Sequence, residues 1–199
     1  MSLTPKQTRL IELALAITQR DAVRLRELRL SAPPGEPDRE WREALLQTHL
    51  FAGFPSVVEA LRILQQVGGL GPPTADEGVL EPDDFGRGQK LFDAIYGTNA
   101  GAVQKGIAAG HPLFERWILG HAYGRVLARG GMAPSLRELL AVACLSAQGL
   151  ERQLASHVRG ALDLGASTDE VRATLACLAG RIEPDRLARA RAVVERFGR

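Results

Sequence analysis

Glu138 and His157 are the two side chains in this sequence whose types and spacing best suit chemistry. Glu138 lies 11 residues before Gly149, and His157 lies 8 after it. If Gly149 turns the chain between antiparallel helices, a rise of ~1.5 Å per residue puts both side chains ~12–17 Å from the turn, facing each other. An imidazole titrates near neutrality, and a carboxyl group shielded from water moves toward neutrality, so the pair suits proton transfer. Arg125, Arg129 and Arg137 are close in sequence, and a guanidinium fork matches the carboxylate of an acidic substrate. A solvated or ion-paired face is the commoner use of any one such arginine. His49, His111, His121 and His157 show no ligand spacing of the HxxxH kind, so no metal is expected. His49 sits among Leu46, Leu50 and Phe51 and reads as a packed core side chain. His121 and Tyr123, two apart, should point to different faces of a helix. Gly86-Arg87-Gly88 reads as a helix start rather than a phosphate loop.

These residues need a framework, and the composition supplies one. The chain has 199 residues, 45% apolar and 24% charged, which excludes wholesale disorder, collagen and a coiled-coil rod. That length buries a core without disulfides or a metal. Lys+Arg is 25 against 23 for Asp+Glu, a net charge of +2, so a basic nucleic-acid-binding surface is not expected. Cys144 and Cys177 have 32 residues between them, cannot form CxxC, and sit in apolar runs. Buried, inert thiols in a reducing compartment are the expectation. The first residues lack a signal-peptide pattern, and the longest apolar run, 139–147, is about half of the ~18 residues a membrane span needs. A cytoplasmic protein without membrane contact is expected.

Nearly everything reads as helix. Thr4-Pro5 is a start signal, and Pro33-Pro34-Gly35 is a break. Asp38 is read as the N-cap of the next helix. Gly53-Phe54-Pro55 stops that helix and starts another. Helices are expected over 84–96, 100–109 and 112–128, after a stretch too rich in Gly and Pro for an element. Ser167 with Glu170 forms a capping box, and Pro184 opens the last helix. The chain also aligns with itself. Pro5 pairs with Pro134, Leu10 with Leu139, Ala14 with Ala143 and Gln19 with Gln148. After one extra residue, Gly35 pairs with Gly165 and Glu40 with Glu170. The organisation read from this is a first repeat over 1–68, a linker over 69–83, connecting helices over 84–131 and a second repeat over 132–199. Arg9 and Leu28 stand where Glu138 and His157 align, so the first copy has no acid/base pair.

The second copy reads His157-Val158-Arg159-Gly160-Ala161-Leu162, then Gly165-Ala166-Ser167. The first reads Glu43-Ala44-Leu45-Leu46-Gln47, then Gly53-Phe54-Pro55. Both resemble the carboxymuconolactone decarboxylase family, also called alkyl hydroperoxidase D-like. Tyr123-Gly124, Arg129 and Arg137-Glu138-Leu139-Leu140 resemble the approach to its motif. The resemblance implies an all-α fold, a tandem repeat of short antiparallel helical hairpins. It implies a homo-oligomer, a trimer first and a dimer second. It implies cofactor-free proton transfer, decarboxylation or isomerisation, on a small carboxylated lactone. His157 would be the general acid/base, Glu138 its partner, Arg129 or Arg137 the carboxylate anchor, and Tyr123 a further substrate contact. In the hydroperoxidase branch a CxxC works with the Glu and the His. Its cysteine positions fall here on Leu150 and Gln153, which counts against a thiol peroxidase.

Overall fold

The helix starts are set by local chemistry. Thr4 caps α1 (Pro5–Gln19) and exchanges bonds with Gln7, a capping box with Pro5 at the first helical position. The Asp21 side chain caps α2 (Ala22–Leu30). Next come α3 (Asp38–Ala52) and α4 (Phe54–Gln65), separated by Gly53 at φ 79°, where a glycine turns the chain at no steric cost. A second set follows the same order: α8 (Pro134–Gln148), α9 (Glu151–Asp163), α10 (Thr168–Ala176) and α11 (Pro184–Glu195). The start of α8 stands 129 residues after that of α1 (134 against 5), and α9 stands 129 after α2 (151 against 22). The starts of α10 and α11 stand 130 after those of α3 and α4 (168 against 38, 184 against 54). Ser167 and Glu170 form the capping box that opens α10.

This computed structural model describes residues 2–197 and is all-helical, with no strand among them. No described helix is long and apolar enough to cross a membrane. The two sets of four helices share one core rather than two. Leu10, Leu13 and Ile17 of α1 join Leu140, Ala143 and Cys144 of α8 in a single buried cluster that includes residues of α2 to α4 and α9 to α11. Between the sets lie α5 (Asp84–Tyr96), α6 (Ala100–Gly110), α7 (Pro112–Trp117) and the helical segment Ile118–Leu127, and a smaller cluster forms there around Phe92 and Ile95 of α5 and Leu119 and Tyr123 of the last segment.

Three expectations need correction. Asp38 is the first residue of α3, not its cap. Its carboxylate is instead bound by Arg29 at 2.7 Å and by the Gly71 N–H at 2.8 Å. The Gly/Pro stretch holds a short 3₁₀ turn, Ala75–Gly78, pinned by the two Arg42–Glu77 hydrogen bonds of 2.7 Å. The helix expected over 112–128 stays α-helical only to Trp117, then widens into a π-helix over Ile118–Leu127. The widened segment packs closely on α5, a contact that a periodicity cannot reveal. A Cβ on Gly88 of α5 would lie 1.9 Å from the Leu119 carbonyl oxygen, and one on Gly124 would lie 1.9 Å from that of Asp84. The two backbones touch, and both glycines are required for it. We expect Gly88→Ala to cost about 1–3 kcal/mol, the usual penalty of overpacking, in a urea unfolding experiment. An unchanged midpoint would mean that the contact is loose.

Candidate active site

Gly149 closes α8 in the left-handed conformation at φ 70°, and α9 begins two residues later. The hairpin brings His157 Nδ1 within 2.8 Å of Glu138 Oε2, and both side chains are buried. Pro134 makes Ala133 the cap of α8, so Glu138 is not used as a capping residue. Close approach depends on Gly160, one helical turn after His157. A Cβ there would lie 2.8 Å from Glu138 Oε2 and 2.9 Å from Ile95 Cγ1. The carboxylate accepts the Nδ1 proton, which fixes the tautomer and leaves Nε2 with its lone pair. No protein group hydrogen-bonds that nitrogen among the described residues.

A cavity of about 420 Å³ borders His157. Leu50 and Phe51 come from α3, Leu145 and Gln148 from α8, and Leu150 and Gln153 from the start of α9. The rest of its wall is apolar and aromatic and comes from residues 96–127, above all Tyr96, Phe114, Trp117 and Ile118. These were missed from the sequence because an aromatic residue in a helical pattern reads as core. Tyr123 lines the cavity, buried, with its hydroxyl donating to that of Tyr96 at 3.2 Å. Burial pushes the Tyr123 hydroxyl well above the usual phenol value, and it raises Tyr96 as well, so both stay protonated at neutral pH.

His121 also lines the cavity, although it lies two residues from Tyr123; the segment is π-helical, so α-helical faces do not apply. His121 Nε2 lies 2.8 Å from Nε2 of His49, whose ring stacks on Phe54 at 4.5 Å. The other nitrogen of His49, Nδ1, contacts the Leu46 carbonyl. His49 is therefore buried as expected, and it is also partnered. Desolvation, then His49 and Arg125, lower the pKa of His121, which favours its neutral form.

The arginines are elsewhere. No charged side chain of Arg, Lys, Asp or Glu lines the cavity among the described residues. Arg137 is buried and donates to Glu43 at 2.7 Å, to the Gly130 carbonyl at 2.9 Å and to Gln47 at 3.3 Å. Arg129 binds both oxygens of Glu43, the closest at 3.0 Å, and the Glu77 carbonyl at 2.8 Å. Arg125 pairs with Asp84 at 2.5 Å on the surface. Neither Arg129 nor Arg137, the expected carboxylate anchors, lines the cavity; both are held by Glu43. One buried carboxylate, Glu43, collects both guanidiniums.

Leu150 and Gln153 border the cavity where a CxxC would stand. The Cys144 thiol is fully buried against Thr18, and burial pushes its pKa up to about 12. Cys177 is partly buried, and its pKa is raised by the same cause. We expect slow labelling of Cys144 in the native state by a thiol reagent at pH 8, with unfolding required for completion. Fast stoichiometric labelling of Cys144 would revive thiol chemistry. No group of three or more His, Cys, Asp or Glu side chains is placed to hold a metal among the described residues.

Comparison with known proteins adds to this geometry. Residues 112–196 match the carboxymuconolactone decarboxylase family. A curated relative, "Peroxisomal protein 2" of Schizosaccharomyces pombe (strain 972), is 31% identical over 135 residues. The match covers 65% of this chain and 62% of that protein, so the chain spans about three-fifths of the relative's length. The matched segment runs from α7 through α11 and contains Tyr123, Glu138, Gly160 and His157. Through that segment, less than half of its length, the chain is similar to the carboxymuconolactone decarboxylase family.

Proposed function

We propose that this chain is an acid–base catalyst of the carboxymuconolactone decarboxylase type, a lyase or isomerase that moves a proton on a small, largely apolar substrate. The observation that carries this reading is the buried 2.8 Å contact of His157 Nδ1 with Glu138 Oε2 at the wall of a 420 Å³ cavity. His157 Nε2 takes or gives the proton. When the ring becomes an imidazolium, the Glu138 carboxylate faces the new charge at contact distance. Tyr96 receives the Tyr123 hydrogen bond, so its own O–H remains for a substrate oxygen. A conjugated carbonyl delocalises the electrons released at carbon. The residues need only supply a placed proton and a donor for the oxygen. Because Arg129 and Arg137 are engaged by Glu43, they are not part of this mechanism.

The test is proton exchange at carbon. A panel of unsaturated lactones, cyclic ketones and β-keto acids is incubated with the protein in D₂O and followed by NMR. Wild type should accelerate exchange or carbon dioxide loss for at least one member, and His157→Ala should remove at least ~10²-fold of that rate. Equal rates for His157→Ala and wild type would refute the assignment.

A second reading is a non-catalytic oligomeric family member. It is favoured by the first set of helices, where Arg9 is used in a 2.9 Å ion pair with Glu36 and Leu28 is core. A wild-type protein indistinguishable from buffer across the panel supports this reading. Under either reading we propose a homo-oligomer, a trimer first and a dimer second. Phe54, Val58 and Leu61 are exposed apolar side chains of α4 that a second copy would cover. Light scattering should give a multiple of 21.5 kDa, and a monomer at micromolar concentration overturns this part.

A further inference from the structure

A second pocket adjoins the cavity beside His157. A pocket of about 520 Å³ shares Tyr96, Ile107, Phe114, Ile118 and Gln153 with it, so one set of side chains walls both. The two differ on α9. Residues four apart share a helix face, so Gln153 and His157 form one stripe, and Arg152 and Ser156 form the stripe beside it. The first stripe borders the His157 cavity, and the second borders the adjoining pocket. The first space has no charge on its wall, and the second has one, the Arg152 guanidinium. That guanidinium makes no ion pair or hydrogen bond with any described residue, and neither does the Ser156 hydroxyl. It stands in contrast to Arg125, Arg129 and Arg137, each held by a carboxylate.

We infer that the ligand of this site is an elongated amphiphilic carboxylate, its apolar body in the His157 cavity and its carboxylate on Arg152 and Ser156. A guanidinium fork and a neighbouring hydroxyl suit a carboxylate's two oxygens. The apolar wall with Phe114 and Trp117 suits a hydrocarbon body. The spacing sets a minimum length. Arg152 and His157 are five residues apart, an axial separation of ~7.5 Å. A compact ring acid whose carboxylate sits beside its reacting carbon does not reach both. The inference rests on the acid–base reading only in naming the atom near His157 as the reacting one; the binding claim stands separately.

The test is a titration of the full chain with decanoate, decanol and propionate, read by fluorescence and repeated by calorimetry. Trp117 lines the cavity and is exposed, whereas Trp41 is buried against Glu36 and Arg29, so a ligand-induced change reports Trp117. Decanoate should bind at least tenfold tighter than either decanol or propionate. Arg152→Gln should bring decanoate to the affinity of decanol and leave decanol unchanged, and Arg152→Lys should restore part of the preference. Arg152 is exposed, so its replacement leaves folding intact, which circular dichroism verifies. The inference is overturned if decanol binds as tightly as decanoate to wild type, if decanoate fails to bind by both methods, or if Arg152→Gln keeps the preference. His157→Gln should retain decanoate binding. Loss of exchange in a His157 variant therefore bears on the acid–base reading alone, and loss of carboxylate preference in Arg152→Gln bears on the anion site alone.

Discussion

Glu43→Ala should lower folding stability by about 3–5 kcal/mol, the cost of breaking a buried ion pair by removing one partner. Glu43 is buried on α3 and is the one carboxylate that meets both Arg129 and Arg137. Arg137 is itself buried, and desolvation lowers its pKa while Glu43 opposes that shift. Removing Glu43 leaves the Arg137 guanidinium inside the protein with only the Gln47 side chain and two backbone carbonyls, of Arg129 and Gly130, as acceptors. It also frees the turn between the π-helix and α8 from α3, because Arg129 holds that turn to Glu43. Glu43→Gln keeps the shape and some hydrogen bonding, and it should cost less than Glu43→Ala. Arg129→Ala should cost least, since its side chain reaches the surface and Arg137 still neutralises Glu43. Urea unfolding of the three variants gives the order directly. If Glu43→Ala lies within ~1 kcal/mol of wild type, water reaches Arg137 and the cluster is not structural.

This cluster shows where a sequence stops being readable. The Glu138–His157 contact is local: one glycine turn and helical arithmetic bring residues 19 apart together. The capping boxes at Thr4 and Ser167 are local too, and side-chain chemistry within three residues defines them. Glu43, by contrast, lies 94 residues from Arg137 and 86 from Arg129, and nothing in the spacing of the arginines says that a carboxylate on α3 will take them. A guanidinium near a proton-transfer pair looks like a substrate anchor until its partner is known. The first-set motif that suggested the family, with Glu43 and Gln47, carries the partner: Gln47 Nε2 donates to the Arg137 carbonyl at 2.6 Å. The cavity was hidden for a related reason. Most of its wall comes from residues 96–127, whose α-helical periodicity predicts core, whereas a π-helix seated on α5 through Gly88 and Gly124 leaves a void beside them. Backbone contact of that kind has no pattern of polar and apolar residues to announce it.

Glu138→Gln should lower the carbon-exchange rate by about 10²- to 10⁴-fold, the range over which a placed acid or base contributes. The volume hardly changes, so Gly160 still accommodates the side chain and the fold is retained. What changes is the identity of the group facing His157 Nδ1, 2.8 Å away. A carboxylate there can only accept, which keeps the ring proton on Nδ1 and the lone pair on Nε2. An amide can present its NH₂ instead, which turns Nδ1 into the acceptor and moves the proton to Nε2. The ring nitrogen open to substrate then carries a hydrogen and cannot take another. Loss of the carboxylate also removes the negative charge that faces the imidazolium formed during the reaction. Two measurements separate this from a general loosening of the site. The ¹⁵N shifts of His157 should show the tautomer exchanging from Nδ1–H toward Nε2–H. Decanoate affinity, which depends on α9 and the cavity wall rather than on the ring proton, should stay within about twofold of wild type. Full exchange activity in Glu138→Gln with an altered tautomer would show that His157 Nε2 is not the base. Glu138 would then be an element of packing between α8, α9 and Ile95.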